Sequence, residues 1–176
     1  MSVGFVGLGN MGQGMADNLL SKGADLTVFT RTQSKIEAMI DKGAKGAASI
    51  SDLTSKVDVV LVCLPDVKTS RDLLLGDDGV IKNMQSGQVA VDHSTVDIAT
   101  SRACSEAAES VGGHFLDAPI SGGPGGAADG TLSIMVGGSE HAFEIANEYF
   151  AKMGANVKLM GPSAVSYTHL TLPTKA

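Results

Sequence analysis

Three glycines, Gly7, Gly9 and Gly12, stand in the spacing G-x-G-x-x-G directly after the apolar run Val3 to Val6 and ahead of a stretch with helical periodicity. In that order each glycine has a task. The first permits a tight turn, the second lets backbone approach a pyrophosphate, and the third lets helix and strand pack closely. The free amides and partial positive charge of a helix N-terminus then face the phosphates. The chemistry this supports is recognition of a dinucleotide. Without the strand and helix around it, the same spacing would be an ordinary glycine-rich turn.

A second candidate lies at the end of the next apolar run, Leu26 to Phe29, where the chain reads Thr30-Arg31-Thr32. Arg31 is 19 positions after Gly12. NAD enzymes place an acidic residue about 20 positions past the glycines to hold the ribose 2′-hydroxyl. A guanidinium suits a 2′-phosphate instead, so NADP is expected over NAD. Two other uses of Arg31 stay open: a solvated loop charge, and a guanidinium stacked on the adenine.

These residues need a scaffold that brings strand ends together. Short runs rich in Val, Ile and Phe recur at Val3 to Val6, Leu26 to Phe29, Val57 to Cys63 and Gln88 to Asp92. Between and after them lie helix-like stretches, Asn10 to Leu20, Gln33 to Lys42 and Asp97 to Val111, each closing at glycine. Strands with little polar alternation are buried on both faces, which predicts a mainly parallel sheet with helices on each side. The fold class is thus α/β, a Rossmann-like doubly wound sheet. After His114 to Ala118 the pattern changes to a glycine-rich loop, a strand Leu132 to Val136, a helix from Ser139 and a last strand Val157 to Met160.

Composition narrows the partners. With 176 residues, 22 glycines and a net charge of −6, the chain fits one α/β domain. The absence of a Lys/Arg run argues against nucleic-acid and membrane-surface partners, which need a basic face. Cys63 and Cys104 lie in no metal-ligand or C-x-x-C spacing, so both read as small core residues of a reduced, cytoplasmic protein, and no metal is expected. His114, His141 and His169 also lack ligand spacing. The adjacent Asp92, His93 and Ser94 cannot form a catalytic triad from neighbouring strand-end positions alone.

The stretch Phe5-Val-Gly-Leu-Gly-Asn-Met-Gly-Gln-Gly-Met-Ala-Asp-Asn-Leu19 resembles the signature of the 3-hydroxyisobutyrate dehydrogenase (β-hydroxyacid dehydrogenase) family. Asp117-Ala-Pro-Ile-Ser-Gly-Gly123 and Gly130-Thr-Leu-Ser-Ile-Met-Val-Gly-Gly138 resemble it too, and the likeness runs from residue 2 to about 163. It implies an oxidoreductase moving a hydride between NADP(H) and a small β-hydroxyacid or semialdehyde, of the 3-hydroxyisobutyrate or tartronate semialdehyde class, in a homo-oligomeric parent protein. By position, it assigns the cofactor to Gly7, Leu8, Gly9, Asn10, Met11, Gly12, Arg31, Thr32, Leu64, Pro65 and Thr95. It assigns the substrate carboxylate to Ser121, Gly122 and Gly123, where a hydroxyl and bare amides could converge on one anion. Without the flanking pattern those three would read as a plain loop. A 6-phosphogluconate dehydrogenase-like domain and a non-catalytic NADP-binding module are the alternatives.

The resemblance breaks off after Lys158-Leu-Met-Gly-Pro-Ser163. The family relays the proton through a lysine in a following G-x-G-x-x-x-K-x-x-N pattern, and no residue here matches it, so no catalytic residue is expected in this chain. Val165-Ser-Tyr-Thr-His-Leu-Thr-Leu-Pro-Thr174 reads as a translated transposon-end adapter from a sequencing library. Residues 164–176 are therefore expected to be a non-native tail, and the family's C-terminal all-helical domain to be absent.

Overall fold

A parallel sheet organises the chain, and the alternation of its buried side chains explains why. In the computed structural model, residues 1–163 are described. The elements run β1 (Ser2–Val6), α1 (Gly12–Ser21), β2 (Asp25–Phe29), α2 (Gln33–Asp41), β3 (Lys45–Gly46), α3 (Ile50–Ser55), β4 (Val59–Val62), α4 (Val67–Leu75) and α5 (Val80–Asn83). They continue with β5 (Val89–Asp92), α6 (Ile98–Ser110), β6 (His114–Asp117), β7 (Ile120–Ser121), α7 (Gly123–Asp129), β8 (Leu132–Gly137), α8 (Glu140–Met153) and β9 (Gly154–Gly161). The strand order is β3-β2-β1-β4-β5-β6-β8-β7, with β9 on β8.

From β3 to β6 every pairing is parallel, which is the doubly wound order with its reversal between β1 and β4. Successive strand residues point to opposite faces. Val59 and Leu61 of β4 join one apolar cluster with Met15, Leu19 and Phe150, while Val60 and Val62 join the other with Leu53, Leu74 and Cys104. All four are fully buried, so β4 reads as a continuous apolar run because both faces are covered.

The far end departs from the parallel pattern. β8 runs antiparallel to β6 and β7 and parallel to β9. The expected glycine-rich loop between Ala118 and Leu132 contains two elements, β7 and the seven-residue helix α7. The first helix starts at Gly12 rather than Asn10, because Asn10 and Met11 complete the turn out of β1. Among the described residues no helix is long and apolar enough to cross a membrane. The proposed tail, with His169 and Lys175, lies outside the described residues.

Candidate functional site: a cleft at the carboxyl ends of the strands

The glycine loop leaves β1 where the strand order reverses, the place at which an open α/β sheet leaves a crevice. Gly7 has φ +98°, and a Cβ there would lie 2.2 Å from the Cys63 carbonyl oxygen. A Cβ on Gly12 would lie 1.8 Å from the Gly7 carbonyl oxygen. Both positions are thus closed to any side chain by backbone. Gly9 differs, since nothing lies within 4 Å of its Cβ position. Its bare side opens onto a cleft of roughly 810 Å³.

Helix ends explain what the cleft can hold. α3, α4, α6 and α8 are each capped by a side chain, from Ser49, Asp66, Asp97 and Ser139. α1 and α2, like the short α5 and α7, have no side-chain cap and no acidic residue in the first turn. Both begin at the cleft wall, at Met11-Gly12 and at Thr32. Orphan amides at an uncapped N-terminus, with their partial positive charge, are the complement of a phosphate.

Ten of the expected cofactor positions line this one cleft: Gly7 through Gly12, Arg31, Thr32, Leu64 and Pro65. Arg31 is exposed and has no ion pair among the described residues. The end of β2, Phe29-Thr30, offers no carboxylate. Sequence reasoning missed Lys35, which lies on the wall and donates from Nζ to the Leu8 carbonyl oxygen at 2.7 Å, tying α2 to the glycine loop. No local pattern marks it, because a lysine in the first turn of a surface helix ordinarily points to solvent. Lys68 also lines the cleft, paired with Asp72 at 2.6 Å, a bond that raises the lysine's pKa.

Thr95 is exposed just after β5 and does not line the cleft. Ser121, Gly122 and Gly123 form an exposed turn away from its wall, with Ser121 opposite Ser133 and φ of +138° and +63° at the two glycines. Cys63 is only half buried and lines the cleft, whereas Cys104 is a core residue. Burial, reinforced by Asp92, pushes the Cys63 thiol up to about 12, which makes it a poor nucleophile.

Behind the wall lies a buried polar chain. Ser94 donates its backbone N–H to Asp92 Oδ1 at 2.8 Å, and its hydroxyl oxygen accepts the Leu64 N–H at 2.8 Å. Burial pushes Asp92 up to about 6 against the opposing bonds from Ser94, with Asp117 raising it further. His93 is fully enclosed and pushed down to about 4 by burial. Its Nδ1 lies 2.8 Å from the Ala118 carbonyl oxygen, so the neutral ring carries its proton there. Phe150 meets the ring edge-on at 5.7 Å. His93 therefore serves packing and not proton transfer in the cleft.

A family profile described as the NAD binding domain of 6-phosphogluconate dehydrogenase matches residues 2–161. The chain is 40% identical over 156 residues to a probable mitochondrial 3-hydroxyisobutyrate dehydrogenase of Dictyostelium discoideum, covering 89% of this chain and 49% of the relative. The chain is an NAD-binding domain of the 3-hydroxyisobutyrate dehydrogenase family. An NAD-dependent L-serine dehydrogenase of Pseudomonas aeruginosa is 41% identical to this family member over 160 residues, 91% of the chain and 54% of the relative. The solved 3-hydroxyisobutyrate dehydrogenase of Mycobacterium tuberculosis with L-serine superposes with a TM-score of 0.88 at 29% identity, over 96% of this chain and 57% of that one. The chain thus spans about half the length of the relatives it matches.

Proposed function

We propose that residues 1–163 bind NADP(H) in the cleft between α1, α2 and β4, as the cofactor half of an oxidoreductase acting on a small β-hydroxyacid or semialdehyde. The observation that carries this reading is the convergence of two uncapped helix N-termini and the open side of Gly9 on one cleft. The α1 amides would hold the pyrophosphate. Arg31 and Thr32 would take the 2′-phosphate, where a guanidinium can bond two oxygens at once. Leu64 and Pro65 would form the apolar wall beside the ring, and Thr95 would reach the cofactor's far end. A bound nicotinamide supplies hydride transfer. Ser121, Gly122 and Gly123 would hold the substrate carboxylate.

Residues 1–163 bind without turning over in this reading, and a specific observation favours that. Lys35 is spent on Leu8 and Lys68 on Asp72, while His93 is sealed in the core. A general acid must reach the reacting oxygen within hydrogen-bond distance. The proton-relaying lysine that the family resemblance implies is therefore assigned outside these residues. Nicotinamide fluorescence with NADPH and NADH tests binding, and a chase with tartronate semialdehyde tests turnover. Binding with NADPH preferred and no oxidation is the expected result. Tight NADH with weak NADPH would overturn the cofactor assignment, and NADPH oxidation would overturn the binding-only reading.

A further inference from the structure

α7 should not stand as a helix by itself. Its sequence, Gly123 to Asp129, contains three glycines and only seven residues, so intrinsic propensity and length both disfavour it. No side chain caps its start, and it ends at a left-handed Gly130. What holds it is α1. A Cβ on Gly14 would lie 2.8 Å from Ala127 C and Ala128 N, so the two backbones touch at that glycine. Ala127 is fully buried there.

One side chain completes the contact. The Asn18 amide nitrogen lies 2.8 Å from the Ala127 carbonyl oxygen, 2.9 Å from that of Ala128 and 3.0 Å from that of Gly14. Three carbonyl oxygens around one terminal atom identify that atom as the nitrogen, since an amide oxygen would be repelled by all three. Ala127 and Ala128 belong to the last turn of α7, whose carbonyls have no intrahelical partner. Gly130, at φ +70°, keeps the approach open, because a Cβ there would lie 2.8 Å from Asn18 Oδ1.

Resting on the dinucleotide reading of the cleft, we propose that Asn18 is a positioning residue that caps α7 and locks it, with the Ser121-Gly122-Gly123 segment at its start, onto the helix whose N-terminus builds the cleft. Cofactor site and turn then move as one body, and occupancy of the cleft steadies the turn. Amide hydrogen exchange on the full chain tests this. Asn18→Ala accelerates exchange over residues 123–130 by about tenfold or more, while β1 and β4 stay within about twofold. Asn18→Ser, whose hydroxyl can still back-bond to Gly14 but cannot span to α7, gives the same pattern. Asn18→Asp keeps size and loses the donors, so α7 exchanges at least as fast as in the alanine variant; a purely space-filling role predicts wild-type exchange instead. Adding NADPH to the wild type slows residues 123–130 together with 7–12, and in Asn18→Ser slows only 7–12.

The lock is refuted if α7 exchange is unchanged in these variants or rises in step with β1 and β4. Should the variants fail to fold, the wild-type chain decides: protected Asn18 side-chain amide protons support the lock, and solvent-rate exchange refutes it. Failure of NADPH to slow residues 7–12 counts against the dinucleotide reading alone, because the ligand-free comparison stands without it.

Discussion

Alanine at Gly9 and alanine at Gly12 are the same chemical change three positions apart, and the geometry assigns them opposite consequences. At Gly12 the new Cβ would lie 1.8 Å from the Gly7 carbonyl oxygen and 3.1 Å from Phe5 Cε1. Neither neighbour can yield, since one is backbone and the other a fully buried ring, so α1 must be pushed off β1. Overpacking of this kind costs about 3 kcal/mol or more, which lowers Tm by roughly 6–12 °C for a chain of this size. At Gly9 nothing lies within 4 Å and φ is not in the left-handed region. Alanine there removes chain entropy from the unfolded state and raises Tm by about 1–4 °C. Its methyl, however, occupies the place where pyrophosphate must approach backbone, and NADPH affinity drops by at least about tenfold, or 1.4 kcal/mol. Differential scanning fluorimetry and nicotinamide fluorescence on the two variants separate the effects. A Gly9→Ala chain that binds NADPH like wild type would show that pyrophosphate does not approach Gly9, and one that melts as early as Gly12→Ala would show that Gly9 has no open side.

Other outcomes follow from the same geometry. Arg31→Ala weakens NADPH by about 10- to 100-fold, as loss of a charge-assisted contact requires, and leaves NADH within about twofold; equal losses for both would remove Arg31 from the 2′-phosphate. Ser94→Ala leaves the Leu64 N–H without the acceptor it has in the wild type and costs about 1–3 kcal/mol, read in urea unfolding together with a weaker cofactor complex. Asp92→Asn tests a pH dependence. Its carboxyl is raised in the folded chain to about 6 from 3.8, so the stability it contributes is fully present below pH 3.8 and lost as pH rises through 6. The stability of wild type minus Asp92→Asn should therefore fall between those limits, on the order of 3 kcal/mol. His93, depressed to about 4, acts with the opposite sign in an overlapping window, which is why the difference between chains is the quantity to measure. A difference that is flat with pH would show that Asp92 is not held protonated by burial.

The glycine loop was legible because its spacing is joined to a strand before and a helix after, and the clashes at Gly7 and Gly12 turn that spacing into a steric requirement. Arg31 was legible from its distance along the chain, and β4 from a run of four apolar residues. Lys35 was not, since a lysine in an exposed first turn looks like any solvated charge until its Nζ is placed on the Leu8 carbonyl. α7 was hidden for a deeper reason. Three glycines and a proline argue against helix locally, and the stabilising groups, Gly14 and Asn18, lie over a hundred positions away. Cys63 read as core because its run is apolar, and it does pack against the core, but the strand ends at Val62 and the residue also borders the cleft. The wall behind Leu64 depends on Ser94 bonding across from the next strand, a contact no local pattern encodes.

The most direct test of the cleft as a dinucleotide site is an amide nitrogen–proton NMR titration of the full chain with NADPH. The largest shifts are expected at Gly9 through Gly12, at Arg31-Thr32 and at Leu64. Shifts concentrated instead around Arg102, His114 and Ser139, which line a second and separate cleft, or no shifts at millimolar NADPH with the chain folded, would contradict that reading.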